Sequence, residues 1–211
     1  MAIRDRARDG YHHGNLREAL IQAALALIAE RGISGFAVAE LARAVGVSAA
    51  APYRHFRDRD AVLAEVARRG FEALAVDMDA AAQSRASDKV AALEACAQAH
   101  LAFAGREGPV YAAMFDPHFP IGEHAGLARA RDAAMAVLRA TAQAACDRSR
   151  AARRPPPVMV ALHIWAMTHG IASLYLGRSG AGQLPMSPEE LLEAGLLVYL
   201  QSLELNDTAL P

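Results

Sequence analysis

The chain has 211 residues, 54% of them apolar and 21% charged, with a formal net charge of −1. That is too much core material for a disordered chain, enough length for one domain or two small ones, and no global charge excess to pull the whole molecule onto a polyanion. Two cysteines, Cys96 and Cys146, make no disulfide scaffold, and zinc-site spacings are missing. No apolar stretch follows the basic N-terminus as a secretory signal would need, and no apolar run approaches the ~18–20 residues of a membrane span. A cytoplasmic protein without membrane contact is the expectation.

Helix follows helix along the chain, so the fold class is all-α. Asn15 and Glu18 resemble a capping box, and Leu16, Leu20, Ala24, Leu27 and Ile28 recur at helical spacing until Arg31-Gly32. A second helix fits Val38–Val45, with Leu41, Ala42 and Val45 inward and Gly46 as its breaker. Ser48 is expected to cap a third helix running to about Phe56, with Pro52 in or just after its first turn. Asp58 caps a fourth, striped by Val62, Leu63, Val66, Phe71 and Leu74. Asp88 begins a helix to about Gly105, and Pro109–Phe115 forms a short one. Asp116–Gly126 reads as loop and Leu127–Ala152 as a long helix. Arg153-Arg154-Pro155-Pro156-Pro157 breaks the chain before two strongly apolar helices, Val158–Leu176 and Pro188–Leu205. Ser187-Pro188-Glu189-Glu190 is a strong helix start.

Charge is divided unevenly. Residues 1–70 hold 11 Arg and no Lys against 8 acids, a net of +3, and the remainder carries −4. The basic part contains Ala37–Phe56, AVAELARAVGVSAAAPYRHF, which reads as helix, tight turn at Gly46-Val47-Ser48, helix. That is the layout of a helix-turn-helix, whose second element enters the DNA major groove. Gly46 admits the turn without a Cβ penalty, and Val47 can plug the angle between the helices. Ala49, Ala50 and Ala51 keep the front of the second element slender.

GVSAAAPYRHF at Gly46–Phe56, followed by Asp58-Arg59-Asp60-Ala61-Val62-Leu63, resembles the DNA-binding domain of the TetR (tetracycline-repressor-like) family. Tyr11–Gly32 is similar to that family's first helix and lead-in. The resemblance implies a flexible arm at 1–10, a three-helix DNA-binding domain at 11–70, and an all-α ligand-binding and dimerisation domain at 71–211. It implies a homodimer on a palindromic double-stranded DNA operator, commonly a repressor released by a small molecule. Carried over by position, Ser48 and Pro52 belong to the DNA-binding element, and Tyr53 and His55 match phosphate contacts. Arg59 stands where the family usually has Lys, also facing the backbone. Ala37 replaces the common Thr and loses both a cap and a hydroxyl. Ala49, Ala50 and Arg54 are nearest to the bases. Alanines touch a thymine methyl but read no donor–acceptor code, so shape readout or arm arginines gain weight.

Trp165-Ala166-Met167-Thr168-His169-Gly170 carries the Trp, His and Gly of the WHG class of TetR-like C-terminal domains, and Gly108–Phe115 resembles a segment of that class. Trp165 and His169 lie four apart and share a helix face. The expected pocket is lined by Leu101, Phe103, Tyr111, Met114, Phe115, Met135, Leu138, His163, Met167 and His169, mixing aromatics with soft Met. Those residues also serve as core. No cofactor and no metal is expected, because the histidines lack paired ligand spacing. The last two helices are apolar beyond one inward face, which suits a dimeric four-helix bundle. Two other readings stand beside this one: a DNA-binding dimer without effector, and a small all-α enzyme, for which no nucleophile–base arrangement is present.

Overall fold

The computed structural model describes residues 16–116, 122, 124–148, 154–176 and 184–205. The expectations for the arm at 1–10, for His12 and His13, for the Asn15 cap and for His118 lie outside the described residues. Regular structure among the described residues consists of eight α-helices and one 3₁₀ turn. The chain forms two units, Met1–Leu63 and Ala64–Pro211.

In the first unit, α1 (Leu16–Arg31) buries Leu20, Ile21, Ala24 and Ile28 at helical spacing. α2 (Val38–Ala44) buries Val38, Leu41 and Ala42. Ala37 has no oxygen to cap α2, so only half of a capping box forms: Glu40 Oε2 accepts from the Ala37 N–H at 2.8 Å. That bond, with Arg31 and Arg43 nearby, holds the Glu40 carboxyl below its ordinary range. α2 ends in a Schellman motif. Gly46 sits at φ +72° and its N–H reaches Arg43 O at 3.2 Å, while the Val47 N–H reaches Ala42 O at 3.0 Å.

The third element differs from expectation. In place of a helix from Ser48 to Phe56, the chain makes turns and a 3₁₀ segment at Pro52–Arg54. Pro52 is the cause. In a helix capped by Ser48, residue 52 would supply the first N–H bonded back to the Ser48 carbonyl, and proline has none. Ser48 O instead accepts the Ala51 N–H at 3.0 Å, a tighter ring, and His55 N–H bonds Pro52 O at 2.9 Å. Ser48 thus serves through its carbonyl, not as the side-chain cap expected of it. Asp58 does cap the next helix, accepting the Ala61 N–H at 2.8 Å. That helix, α3 (Arg59–Ser84), is continuous from residues of the first unit into the second.

The second unit is built on α4 (Lys89–Arg106), α6 (Ala125–Arg148) and α7 (Pro157–Leu176), which pack on one another. α5 (Gly108–Met114) lies against α4, and α8 (Pro188–Ser202) against α7 and α4. Asp88 Oδ1 accepts from the Val90 and Ala91 N–H groups. Ser187 and Glu190 form a full capping box at α8. Gly70 lets α5 approach α3: a Cβ there would fall 2.5 Å from Met114 Sδ and 2.6 Å from Val110 Cγ1. α6 begins two residues before Leu127, and residues 149–152 lie outside those described.

α7 corrects the reading that no segment approaches membrane-span length. It runs 20 residues and is apolar enough by composition to cross a bilayer. Its isolated polar residues, His163, Thr168, His169 and Ser173, interrupt every apolar run without lowering the average much. Packing of this helix on α4, α6 and α8 makes it the central helix of a bundle.

Candidate functional site

Two surfaces gather the residues singled out above, one in each unit. In the first, Ser48, Ala49, Ala50, Tyr53, Arg54 and His55 are all exposed, while Pro52 and Phe56 point into the core. Tyr53 is 54% exposed, so its ring and hydroxyl are open to solvent. Burial of Pro52 and Phe56 fixes the turn on α1 and α2, and the Arg17 guanidinium covers the Phe56 ring at 5.2 Å. The exposed side chains are thereby held on a rigid base. Arg43, with most of its side chain in solvent, is a nearby cation that the motif did not single out.

Arg59 is placed differently from the backbone-facing position expected of it. Its Nη2 donates to the Ile33 carbonyl, and its guanidinium lies over the Phe36 ring at 5.1 Å. Nη1 is 3.7 Å from Asp60 Oδ1, and among the described residues the buried Nε has no hydrogen-bond partner. The planar fork explains the difference: it can stack and hydrogen-bond at once, which an ammonium cannot. The sequence holds no signal for this, because Ile33 and Phe36 are distant along the chain.

The second surface lies among α4, α5 and α7. Tyr111 Oη is 3.1 Å from His100 Nε2 and 2.9 Å from His169 Nδ1, so the hydroxyl bridges two imidazoles. His169 Nε2 is 3.5 Å from Ser173 Oγ, a contact at the limit of hydrogen bonding. Rings close around this bridge. Trp165 is 4.7 Å from His100 between centroids, Phe115 is 4.2 Å from His169, and Phe71 meets Phe115 edge-on at 5.5 Å. Helical spacing creates the arrangement, since Trp165, His169 and Ser173 fall at i, i+4 and i+8 on α7, and Tyr111 and Phe115 at i and i+4.

Burial sets the charge state. His100 is 1% exposed, and desolvation, helped by the neighbouring His169, pushes its imidazole down to about 3. Desolvation also lowers His169 and raises the Tyr111 phenol. The bridge is therefore neutral at physiological pH. Thr168, before His169 in the chain, is fully buried, and among the described residues its hydroxyl has no hydrogen-bond partner.

Of the expected pocket residues, Tyr111, Phe115 and His169 come together here. Leu101, Phe103, Met114 and Leu138 are buried. Met135 is half-buried on α6. His163 and Met167 turn away toward α8. His163 Nδ1 meets Tyr199 Oη at 3.0 Å, and Met167 Sδ fills the space left by Gly195, where a Cβ would come within 2.8 Å. His100 and Trp165 belong to the cluster but were left out of that lining.

A family model described as bacterial regulatory proteins of the tetR family matches residues 20–66, and one described as a tetracyclin repressor-like C-terminal domain matches residues 93–199. The chain belongs to the TetR family. It is thus a DNA-binding transcriptional regulator with an N-terminal helix-turn-helix and a helical C-terminal domain. This TetR-family chain is 31% identical to a protein with unknown function from Rhodococcus sp. RHA1, with a TM-score of 0.75 over 93% of this chain and 99% of that one. It shares its fold with the TetR family transcriptional regulator PfmR from Thermus thermophilus, at 22% identity and a TM-score of 0.67, covering 86% and 97%. It likewise shares the fold of AibR, solved with isovaleryl coenzyme A and operator DNA, at 19% identity and a TM-score of 0.63, covering 87% and 97%. No curated protein matches the chain.

In this TetR-family member the recognition turn was legible through Gly46, Pro52 and Tyr53, which are local. The cluster in the second unit is half legible. Trp165 and His169 shared a motif, but His100 lies on another helix and only packing brings it to them.

Proposed function

We propose that the chain acts in the cytoplasm as a homodimeric repressor that binds a palindromic operator and is released by a small molecule. Residues 11–70 carry DNA binding in this reading, and residues 71–211 carry effector binding and dimerisation. The observation that carries it is the exposed face Ser48–Ala50 and Tyr53–His55 on a buried Pro52–Phe56 base, within a family of DNA-binding regulators. Tyr53 and His55 contact phosphates, and Ala49, Ala50 and Arg54 approach base edges. Arg59 acts from within the domain, holding the loop that carries Ile33 and Phe36.

Dimerisation is supported by an apolar stripe on α7. Val158, Leu162, Ala166, Gly170 and Leu174 recur every fourth residue and are all exposed, and Val198 on α8 is 59% exposed. Unpartnered apolar surface of this extent favours a second copy, and two such helix pairs make a four-helix bundle. A two-fold dimer presents two recognition turns to major grooves about 34–36 Å apart, which demands a palindromic site. Release follows if the effector binds one arrangement of the dimer more tightly than the operator-bound one. AibR, a distant relative by sequence, was solved with both kinds of ligand, which is consistent with such coupling. The enzyme reading loses support because burial pushes the Cys96 thiol up to about 12 and raises Cys146 too, which leaves neither as a ready nucleophile.

Selection of bound fragments from a random duplex pool by the purified full chain tests the proposal. A two-fold-symmetric motif with half-sites about one helical turn apart is expected. Recovery of no motif, even in dilute buffer, refutes it.

A further inference from the structure

Donor and acceptor counts set the polarity of the Tyr111 bridge. Tyr111 has one phenol proton for two imidazole nitrogens, so one histidine must donate to Tyr111 Oη and the other must accept from it. If Tyr111 donated to His100, the His100 proton would sit on Nδ1. Among the described residues that atom has no hydrogen-bond partner, and His100 is buried. A stranded interior N–H is expensive. The favoured order is therefore His100 Nε2–H to Tyr111 Oη, then Tyr111 O–H to His169 Nδ1. This order puts the His169 proton on Nε2.

Among the described residues, that proton's one acceptor is Ser173 Oγ at 3.5 Å. Ser173 is exposed and His169, Trp165 and Phe115 are partly exposed, so the N–H lies at the accessible side of the cluster, where Phe115 is 4.2 Å from the His169 ring and 6.0 Å from Trp165. Among the described residues no Arg, Lys, Asp or Glu side chain hydrogen-bonds to or stacks on the cluster. An ionic ligand group would lose its hydration there without compensation.

Resting on the reading of residues 71–211 as the effector-binding part, we propose that this cluster is the effector site and that His169 Nε2–H is a dedicated donor for a carbonyl-type oxygen on an uncharged, planar effector that stacks on Trp165 and Phe115. Tyr111 and His100 act as positioning residues that hold His169 in the donating tautomer. The class is thus a neutral aromatic or conjugated carbonyl compound, and carboxylates are disfavoured.

The chain contains a single tryptophan, so the indole N–H resonance of Trp165 reports on this site alone. The test uses the 15N-labelled full chain and three probes: acetophenone, its alkene isostere α-methylstyrene, and benzoate. Acetophenone should move the Trp165 resonance at millimolar concentration, with benzoate about tenfold weaker or more. His169→Phe should lower the acetophenone-to-alkene affinity ratio about fivefold, the worth of one hydrogen bond. His169→Gln, whose amide N–H can stand near the Nε2 position, should keep the ratio within about twofold of wild type. Long-range 1H–15N spectra of the unliganded protein should show His169 protonated on Nε2. A His169 proton on Nδ1, a ratio unmoved by His169→Phe or lost in His169→Gln, or benzoate binding as tightly as acetophenone each overturns the proposal. The tautomer measurement needs no variant, so a misfolded mutant leaves it standing as a test. If none of the probes moves Trp165, the effector-site reading itself fails, a result distinct from binding without His169 dependence.

Discussion

Replacing His100 by Gln should remove much of the acid sensitivity of this fold. The His100 imidazole is held at about 3 in the native chain by burial first and by the neighbouring His169 second, against an ordinary value of 6.5. Between those values the unfolded chain binds a proton that the native chain does not, so stability falls as pH drops below 6.5 and the loss is complete below about 3. His100 is 1% exposed, so the penalty is felt nearly in full. Going from about pH 7.5 to about pH 5, this single group should cost about 2 kcal/mol. Gln at this position can still donate an N–H to Tyr111 Oη but cannot take up the proton. Urea denaturation at the two pH values, at one protein concentration because assembly affects the midpoint, gives the two differences. Wild type should lose about 2 kcal/mol more than His100→Gln over that interval. His169, also lowered by burial, adds a slope of the same sign that both proteins share. Equal pH slopes in the two proteins would refute the assignment of a neutral, proton-poor His100.

Tyr53→Phe should leave stability unchanged, since the ring is 54% exposed, and weaken operator binding about tenfold or more through one lost bond to a charged phosphate; unchanged affinity by fluorescence anisotropy at moderate salt removes Tyr53 from the interface. Arg59→Ala should destabilise the chain by roughly 1–3 kcal/mol, because it strips the Ile33 carbonyl of its donor and uncovers Phe36. Arg59→Lys should restore only part of this, and full restoration in a thermal melt would mean that the planar stack contributes nothing. Leu162→Glu should halve the mass seen by light scattering, because a carboxylate on a side chain 51% exposed in one copy would be desolvated between two; a dimer that persists places the interface elsewhere.

Local chemistry determined much of this protein in advance. The caps at Asp58, Asp88 and Ser187 form as read, because each joins a side chain to backbone amides within three residues. The apolar stripe of α3 and the turn at Gly46 follow from spacing and from one glycine's freedom at positive φ. Even the shortened third element rests on a local cause, the missing N–H of Pro52, whose place in the ring count decides its effect. Tertiary packing decided the rest. Arg59 turns inward because Ile33 and Phe36 meet it only after α1 and α2 have folded. His163 and Met167 part from His169, although all three share α7, because α8 and α5 approach that helix on different sides. His100, Tyr111 and His169 come from three helices, and their two hydrogen bonds form only where packing brings the helices together and burial removes water as the competing partner.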